Sequence, residues 1–277
     1  MSSLPAGNNN DTPLSVAAAV QSTLLRYSLP PVTFDRGVDI QHEGDRADFL
    51  YLVKSGFLYS YGVLPDGQRQ IIFLYKEGDM VGFTDLGSAR SMGSLRSLSE
   101  CVLQPIPISA FLSPSFLTPA IATFFLHKAA EMQSVLIRSI VAMGRMAARE
   151  RVICLLLMLN DRFGSTTEKD VVHIPLTQSE LGDLIGLTNV SISKILSQLS
   201  TDGFIERKGN RIVLRRRLEM QRMIGYEPLR FSADILTHNA RRTHNAVDRL
   251  RSRRINIPAI SARVAQDRMD QLKGGDG

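Results

Sequence analysis

The chain has 277 residues, 44% of them hydrophobic and 22% charged, which is typical of about two globular domains. No apolar run approaches the ~20 residues of a membrane-spanning helix, and the start MSSLPAGNNNDTP lacks the cationic and apolar segments of a signal peptide. The two cysteines, Cys101 and Cys154, are too few for a disulfide framework or a cysteine-only cluster site. We therefore expect no membrane association, a reducing compartment and a cytoplasmic location.

The formal charge of +6 is unevenly distributed along the chain. Residues 229–277 carry ten Lys or Arg and five Asp or Glu, a net charge of +5, so the rest of the chain is almost neutral. A basic tail favours a polyanion partner, although such runs are often only solvated. Within the tail, residues 240–254 have the composition of a basic helix.

The first predicted elements are a disordered segment, residues 1–13, and a short helix, Leu14–Tyr27. From Val32 to Ile108, short β-type runs are separated by glycines, and turns such as Pro65-Asp66-Gly67 join them. Short, evenly spaced strands of this kind predict a sandwich or jelly-roll β-barrel.

The longest helical pattern runs from Ser113 to Met143, and Gly144 is expected to end it. Its apolar residues recur near the heptad spacing, and a helix of this length between two domains commonly pairs with its twin in a dimer. The alternative is burial of the helix against its own barrel. A second apolar helix, Met146–Arg162, is suited to form a core. The residues predicted to form the dimer seam are Ile121, Phe125, Met132, Leu136 and Met143.

The segment Leu176–Leu199, LTQSELGDLIGLTNVSISKILSQL, predicts two short helices joined by a tight turn. Thr177 begins a capping box, Gly182 leaves room for a close neighbour, and Gly186 ends the first helix. Thr188 caps the second helix, whose apolar residues recur at helical spacing. This is the pattern of a helix-turn-helix, in which the second helix reads DNA.

The second helix leaves Asn189, Ser193 and Lys194 pointing away from its apolar side. Short polar and cationic side chains of this kind read base edges in a major groove. The alternative is an ordinary helical hairpin in an enzyme core. The residues predicted to contact DNA are Thr177, Ser179, Thr188, Asn189, Val190, Ser191, Ser193, Lys194, Lys208 and Arg211.

Two short strands, Phe204–Glu206 and Arg211–Leu214, follow the second helix with turn residues between them. A hairpin in this place is typical of a wing. From Arg207 to Arg217 the chain has six cations and no acid, which predicts phosphate contacts that do not depend on sequence. The alternative is a charged edge that only prevents strand pairing.

In this order the elements resemble the Crp/Fnr family of bacterial transcription regulators, over roughly Val32–Pro228. The resemblance is carried by FDRGVDIQHEGDRADFLYLVKSGFLYSYGVLPDGQRQIIFLYKEGDMVGF, GRMAARERVICLLLML and LTQSELGDLIGLTNVSISKILSQLSTDGFIERKGNRIVL. Within these, LPDG-Q-RQI and GLT-N-V-S-I-S-K resemble an alphaproteobacterial subgroup. The resemblance implies a cyclic-nucleotide-binding-like barrel as sensor, a homodimer through the long helix, and contact with RNA polymerase during activation.

The implied fold is α+β, with an N-terminal jelly-roll β-barrel, a long dimerisation helix and a C-terminal winged helix-turn-helix. The expected divisions are a disordered start with a short helix (1–31), the barrel (32–112), the dimerisation helix (113–146), the DNA-binding domain (147–217) and a terminal helix with the basic tail (218–277).

The sequence departs from family members that bind cyclic AMP. Those members resemble one another in a Gly-Glu turn, whose Glu takes the ribose hydroxyl, and in an Arg-Ser or Arg-Thr pair, whose Arg takes the phosphate. Here the turn is Gly82-Phe83, and phenylalanine accepts no hydrogen bond. Arg90-Ser91 matches the pair only approximately in spacing. The resemblance would place an effector pocket at these four residues, but a cyclic nucleotide is not expected.

Other cofactors of the family are also not indicated. Iron–sulfur members need N-terminal cysteines, and none precedes Cys101. Haem needs an axial ligand, for which His42 is a candidate by residue type alone. The effector therefore stays unidentified at this stage.

The reading helix also departs from its relatives. Many family members carry a Glu and an Arg in this helix, where this chain has Val190 and Lys194. A valine can contact a thymine methyl group but accepts no hydrogen bond from cytosine, and lysine lacks the bidentate fork of arginine. We expect a half-site that differs from the one best known for the family.

The sequence thus predicts a transcription regulator, not an enzyme, that binds a palindromic site in double-stranded DNA as a homodimer under the control of its barrel. One alternative is a nucleotide-responsive signalling module that acts through protein partners without DNA. Another is an enzyme on a jelly-roll scaffold. The sequence disfavours the enzyme, because its five histidines are scattered and form no metal-ligand pattern.

Overall fold

The computed structural model describes residues 13–164, 170–173, 175–209 and 211–228. The predicted disordered start, except for residue 13, and the basic helix at 240–254 lie outside the described residues. None of the helices within this part of the chain is long and apolar enough to cross a bilayer.

The N-terminal half is a helix followed by two antiparallel sheets. The sheets have the strand orders β1-β8-β3-β6 and β2-β7-β4-β5, and buried residues of both, including Leu58, Ile71 and Leu103, belong to one core. This arrangement confirms the predicted jelly-roll barrel. Its elements are α1 (Pro13–Tyr27), β1 (Val32–Phe34), β2 (Asp39–Gln41), β3 (Phe49–Ser55), β4 (Leu58–Val63), β5 (Arg69–Tyr75), β6 (Met80–Val81), β7 (Ser94–Ser97) and β8 (Cys101–Pro107).

A long helix, α2 (Pro119–Arg145), follows the barrel. It begins six residues later than predicted, because Pro119 occupies its first turn and the Thr118 hydroxyl accepts a hydrogen bond from the Ile121 backbone N–H. The prediction that Gly144 ends the helix is wrong, since α2 continues through Arg145.

The C-terminal half contains the predicted core helix and the winged helix-turn-helix. Eight consecutive residues, Val152–Leu159, are buried in the core helix, which confirms its predicted role. The elements are α3 (Ala148–Phe163), β9 (Val171–His173), α4 (Gln178–Ile185), α5 (Asn189–Thr201), β10 (Ile205–Lys208), β11 (Arg211–Leu214) and α6 (Arg217–Ile224). The hairpin β10–β11 and β9 form a three-stranded antiparallel sheet.

Candidate DNA-reading site

We term the winged helix-turn-helix from α3 to α6 the reader. The first helix of its helix-turn-helix motif, α4, starts with the predicted capping box. The Thr177 hydroxyl accepts a hydrogen bond from the Glu180 backbone N–H at 3.2 Å. In return, the Thr177 backbone N–H donates to Glu180 Oε2 at 2.8 Å. Two N–H groups that the helix itself leaves unpaired are thereby satisfied, which fixes where α4 begins.

The turn between α4 and α5 depends on two glycines. Gly186 ends α4 with φ of +64°, a conformation that favours glycine. A Cβ at Gly182 would lie 2.2 Å from the Leu187 carbonyl oxygen, so only glycine lets the turn fold back this closely. The predicted close neighbour is therefore the backbone of the turn itself.

The second helix, α5, has one buried face and one exposed face. Ile192, Ile195, Leu196 and Leu199 are buried, as the helical spacing predicts. On the other side Asn189, Val190 and Lys194 are exposed, Val190 by 79%, and Ser193 lies partly exposed beside them. Ser197, one turn beyond Ser193 and also exposed, completes this face. It was missed because serine is chemically inconspicuous, although its spacing from Val190 could have identified it.

Two residues predicted to contact DNA have hydroxyl groups that are already engaged in helix caps. Thr188 caps α5: its hydroxyl accepts from the Ser191 backbone N–H at 3.2 Å and donates to the Ser191 hydroxyl at 3.0 Å. The Thr177 hydroxyl is likewise engaged with Glu180. Ser179, on the first turn of α4, is exposed. A phosphate at either helix start would therefore contact the backbone N–H groups that the caps leave unoccupied.

The wing is less basic than its sequence suggests. Glu206 on β10 lies just before the counted run, and its carboxylate pairs with Lys208 at 3.0 Å and also with Arg215. These hydrogen bonds, first from Arg215 and then from Lys208, hold the pKa of Glu206 below its usual value. Arg211, at the start of β11, is exposed. Lys208 therefore reaches a phosphate only by leaving Glu206.

The base of the wing is also paired. Arg217 contacts Asp161 on α3 at 2.8 Å, and Arg216 contacts Glu219 on α6 at 2.5 Å. Arg217 thus links α6 to α3, whereas Arg216 pairs with an acid on the first turn of α6, and both cations are already engaged within the protein. A count of charges along residues 207–217 could not reveal this, because all the partner acids lie outside that run.

Residues 31–113 match the cyclic nucleotide-binding domain, and residues 150–223 match the Crp-like helix-turn-helix domain. These two matches fall on the barrel and on the reader just described. The chain belongs to the Crp/Fnr family of DNA-binding transcription regulators.

Members of the Crp/Fnr family are similar to this chain over most of their length. The nitrogen fixation regulation protein FixK of Azorhizobium caulinodans is 28% identical over 222 residues, which cover 79% of this chain and 85% of that protein. The transcriptional activator protein FnrL of Cereibacter sphaeroides is 25% identical over 188 residues, 66% of this chain and 75% of FnrL. The solved structure of FixK2 from Bradyrhizobium japonicum covers 72% of this chain and 98% of its own, at 25% identity and a TM-score of 0.64.

The effector residues implied by the Crp/Fnr resemblance do not assemble into a pocket. Phe83 packs edge to face on Phe125 of α2, with ring centroids 5.5 Å apart. Arg90 is exposed and donates to the Gly44 carbonyl oxygen at 2.7 Å. Ser91 is buried and bonded to the Gln41 side chain. Phe83 thus packs beside α2, and Phe83, Arg90 and Ser91 do not share one cavity with Gly82.

A small cavity of about 80 Å³ does lie between the barrel and α2, and only Gly82 of the four predicted residues lines it. The buried Asp85 carboxyl faces this cavity and accepts hydrogen bonds from the Gln41 side chain and the Met92 backbone N–H, both at 3.1 Å. Ligand pockets generally have 300 Å³ or more, and a carboxylate opposes an anionic phosphate. The residues present do not fit a cyclic nucleotide.

The other side chains considered as cofactor ligands are unsuited or unsupported. His42 is exposed in the turn after β2 and lines neither of the cavities described here. Cys101 and Cys154 are buried, and burial raises the pKa of each thiol to about 11. Both thiols are therefore protonated near neutral pH and weakly reactive.

The five residues predicted for the dimer seam lie on the face of α2 that is turned towards the chain's own body. Ile121 and Phe125 are buried in the chain's own core together with Val20 and Leu24 of α1. Met132 and Leu136 are partly buried against the core, and Met143 lines a cleft. For Ile121 and Phe125 the structure favours the alternative of burial against the barrel, and the seam itself stays a prediction.

A different apolar stripe on α2 is exposed. Its members recur at alternating steps of four and three residues, the spacing of a coiled-coil seam. Leu126 is 67%, Ile137 54% and Ile140 64% exposed. The stripe consists of Leu126, Ala130, Gln133, Ile137, Ile140 and Gly144.

Proposed function

We propose that this transcription regulator binds a palindromic DNA site as a homodimer, with α5 in the major groove and the barrel controlling the placement of the two reading helices. The exposed face of α5 carries the proposal. Asn189, Val190 and Lys194 protrude where no other described element covers them, while the opposite side of the same helix is buried. Insertion into a major groove requires a helix that is packed against the protein on one face and exposed on the other.

The exposed stripe on α2, defined above, supports the homodimer. Apolar residues at coiled-coil spacing gain free energy when a second copy covers them. A two-fold pair of α2 helices presents two copies of α5, and this matches the inverted half-sites of a palindrome. Leu126, Ile137 and Ile140 are the anchors of this seam.

Further parts of the proposal follow from the regulator's task. A regulator that activates transcription contacts RNA polymerase, and it works in the compartment that holds the chromosome, the cytoplasm. The wing adds phosphate contacts beside the reading helix through Arg211, which is exposed, and through Lys208 when it leaves Glu206.

A binding experiment tests the proposal directly. Duplexes selected by the purified protein from a random library are compared with scrambled duplexes of the same length by gel shift, over a range of salt concentrations. We expect the selected duplexes to bind at least about 10³-fold more tightly, with affinity that falls as salt rises. Equal affinity for both sets at every salt concentration would reject a sequence-specific regulator. It would favour the module that acts through protein partners.

A further inference from the structure

A polar cluster joins the barrel to the reader. Arg69, at the start of β5, donates to Asp183 Oδ2 on α4 from Nε at 2.9 Å and from Nη2 at 2.6 Å. The neighbouring Gln70 side chain donates to the Asp183 carbonyl oxygen at 2.6 Å. Asp183 is thus held by both its side chain and its backbone.

The Arg69 guanidinium is itself fixed from the barrel side. Its Nη1 donates to the Tyr59 hydroxyl at 2.7 Å, and the group lies over the Tyr59 ring at 5.3 Å from the centroid. Tyr59 is a buried core residue of β4. A side chain with all three nitrogens engaged has little rotational freedom, so Arg69 transmits the position of the sheet to α4.

Apolar packing alone does not fix the reader on the barrel. Behind the Arg69–Asp183 pair, β5, α2, α3 and α4 line a cleft of about 330 Å³, which reaches the surface at Ile72 and Ile140. Most of its lining is apolar, including Phe73, Leu136 and Leu184. Close packing is what determines a single orientation in a protein interior, and side chains do not fill this cleft. The polar cluster is therefore the contact that restricts the reader at this edge of the barrel.

The other end of β5 is held to the reader differently. Arg162 of α3, which is buried, donates to the Leu74 carbonyl oxygen at 2.9 Å and pairs with Asp79 at 2.8 Å. This contact lies deep in the core, while the Arg69–Asp183 pair is 27% and 22% exposed and sits at the rim. Substitution at the rim can be made without leaving a fully buried charge.

We propose that Arg69 is a positioning residue for DNA recognition: through Asp183 it fixes the orientation of the reading helix relative to the barrel. The inference rests on the proposed function, because orientation matters when two readers must engage two half-sites together. The effective concentration of the second reader depends on how narrowly its position is distributed. Binding of one reader to a single half-site does not depend on the width of this distribution.

The test compares Arg69→Ala with Arg46→Ala, a matched control that removes an exposed barrel arginine paired only with Asp48. We expect Arg69→Ala to weaken binding to a two-half-site duplex on the order of tenfold and to leave binding to a single half-site unchanged. Asp183→Arg should reproduce the loss, and the reversed pair Arg69→Asp with Asp183→Arg should recover most of it. An unchanged ratio of two-site to one-site affinity, a gain in affinity, or no recovery by the reversed pair would each overturn the proposal.

A DNA-free readout separates this inference from the proposed function. Spin labels at Arg36→Cys on the barrel and Ser200→Cys on α5, both exposed, report their separation in dimers diluted with unlabelled protein. We expect Arg69→Ala to broaden the distance distribution and Arg46→Ala to leave it unchanged. A broadened distribution in a protein that binds no selected duplex would keep the positioning role and reject the regulator. An unchanged distance distribution in Arg69→Ala, when the protein binds selected duplexes, would reject the positioning role and keep the regulator.

Discussion

At the level of single residues, Val190 is the most exposed apolar side chain on the reading face. It has no hydrogen-bonding atom beyond the backbone, so it can recognise a thymine methyl group but cannot accept from the amino group of cytosine. We therefore expect Val190 to select one base of the half-site by contact with a methyl group.

Val190→Glu should change that base preference without changing the fold. A carboxylate at this exposed position accepts from cytosine N4, and one such contact provides about 1–3 kcal/mol of discrimination. Repeating the selection from random duplexes with the variant measures the effect, with Ser200→Glu, at an exposed position near the C-terminal end of α5, as the control. An identical selected half-site for Val190→Glu and the unaltered protein would show that residue 190 does not face a base.

In the wing, a single acidic residue reduces the number of cations that are available to DNA. Glu206 is adjacent in sequence to the counted cations, yet its effect depends on the hairpin that brings Arg215 beside it. Its pKa is lowered by these partners, so it stays ionised and neutralises them at neutral pH. The turn residues in the sequence predict the hairpin, but they do not predict which cations form ion pairs with Glu206.

Glu206→Gln should strengthen binding to all DNA. Releasing Lys208 and Arg215 from the carboxylate makes two more cations available to phosphates, and each new contact steepens the dependence of log affinity on log salt by about 0.9. A salt titration on a scrambled duplex measures the slope. Glu219→Gln, which frees Arg216 at the base of the wing, is the comparison. A slope unaltered by Glu206→Gln would mean that the wing does not touch the backbone.

At the level of elements, the helices of the reader were well predicted because their signals are local. Helix starts and ends are fixed here by residues within one turn of them, namely Thr177, Gly186 and Thr188. The local sequence is therefore enough to predict where α4 and α5 begin and where α4 ends. The start of α2 was missed for the opposite reason. The residues before Pro119 are compatible with a helix, and only the Thr118 cap determines where it begins.

The seam on α2 could not be located by periodicity. This helix carries apolar residues on two faces, one against the barrel and one exposed, and both have near-heptad spacing. Spacing identifies a stripe, but which stripe faces the chain's own body depends on contacts with α1 and the barrel, which come from distant parts of the sequence.

Replacing both Ile137 and Ile140 with Asp should give monomers in analytical ultracentrifugation. Two charges in the centre of the proposed seam leave the intrachain core intact, because neither side chain is buried. Met132→Asp with Leu136→Asp serves as the contrast, since these residues pack against the core and their loss should lower the melting temperature. Dimers that persist in the Ile137/Ile140 variant would place the interface elsewhere.

At the level of the whole molecule, a cluster of four charges joins the barrel to both long helices. Asp79 pairs with Arg162 at 2.8 Å and with Lys128 at 3.3 Å, and Glu131 lies 3.7 Å from each of these cations. Arg162 also lies over the Phe73 ring at 4.2 Å. The four residues come from two helices and a turn, so no sequence motif indicates their association.

Asp79→Asn should lower the free energy of unfolding by about 3–5 kcal/mol, because it leaves Arg162 and Lys128 in the interior without their main counter-charge. Urea denaturation measures this. Adding Arg162→Met should recover part of the loss, since an apolar side chain tolerates the same site. If Asp79→Asn alone costs under about 0.5 kcal/mol, the cluster does not hold the barrel to the helices.

The central claim is that two copies of α5 enter major grooves on one face of the duplex. Methylation protection at guanine N7, a major-groove atom, tests it directly on a selected site. We predict two protected patches whose centres are about one helical turn, roughly 10 base pairs, or a whole multiple of it apart, both lost in a variant with Asn189, Val190 and Lys194 replaced by Ala. A single patch, or no protection at guanine N7 on a selected site that the protein binds, would contradict it.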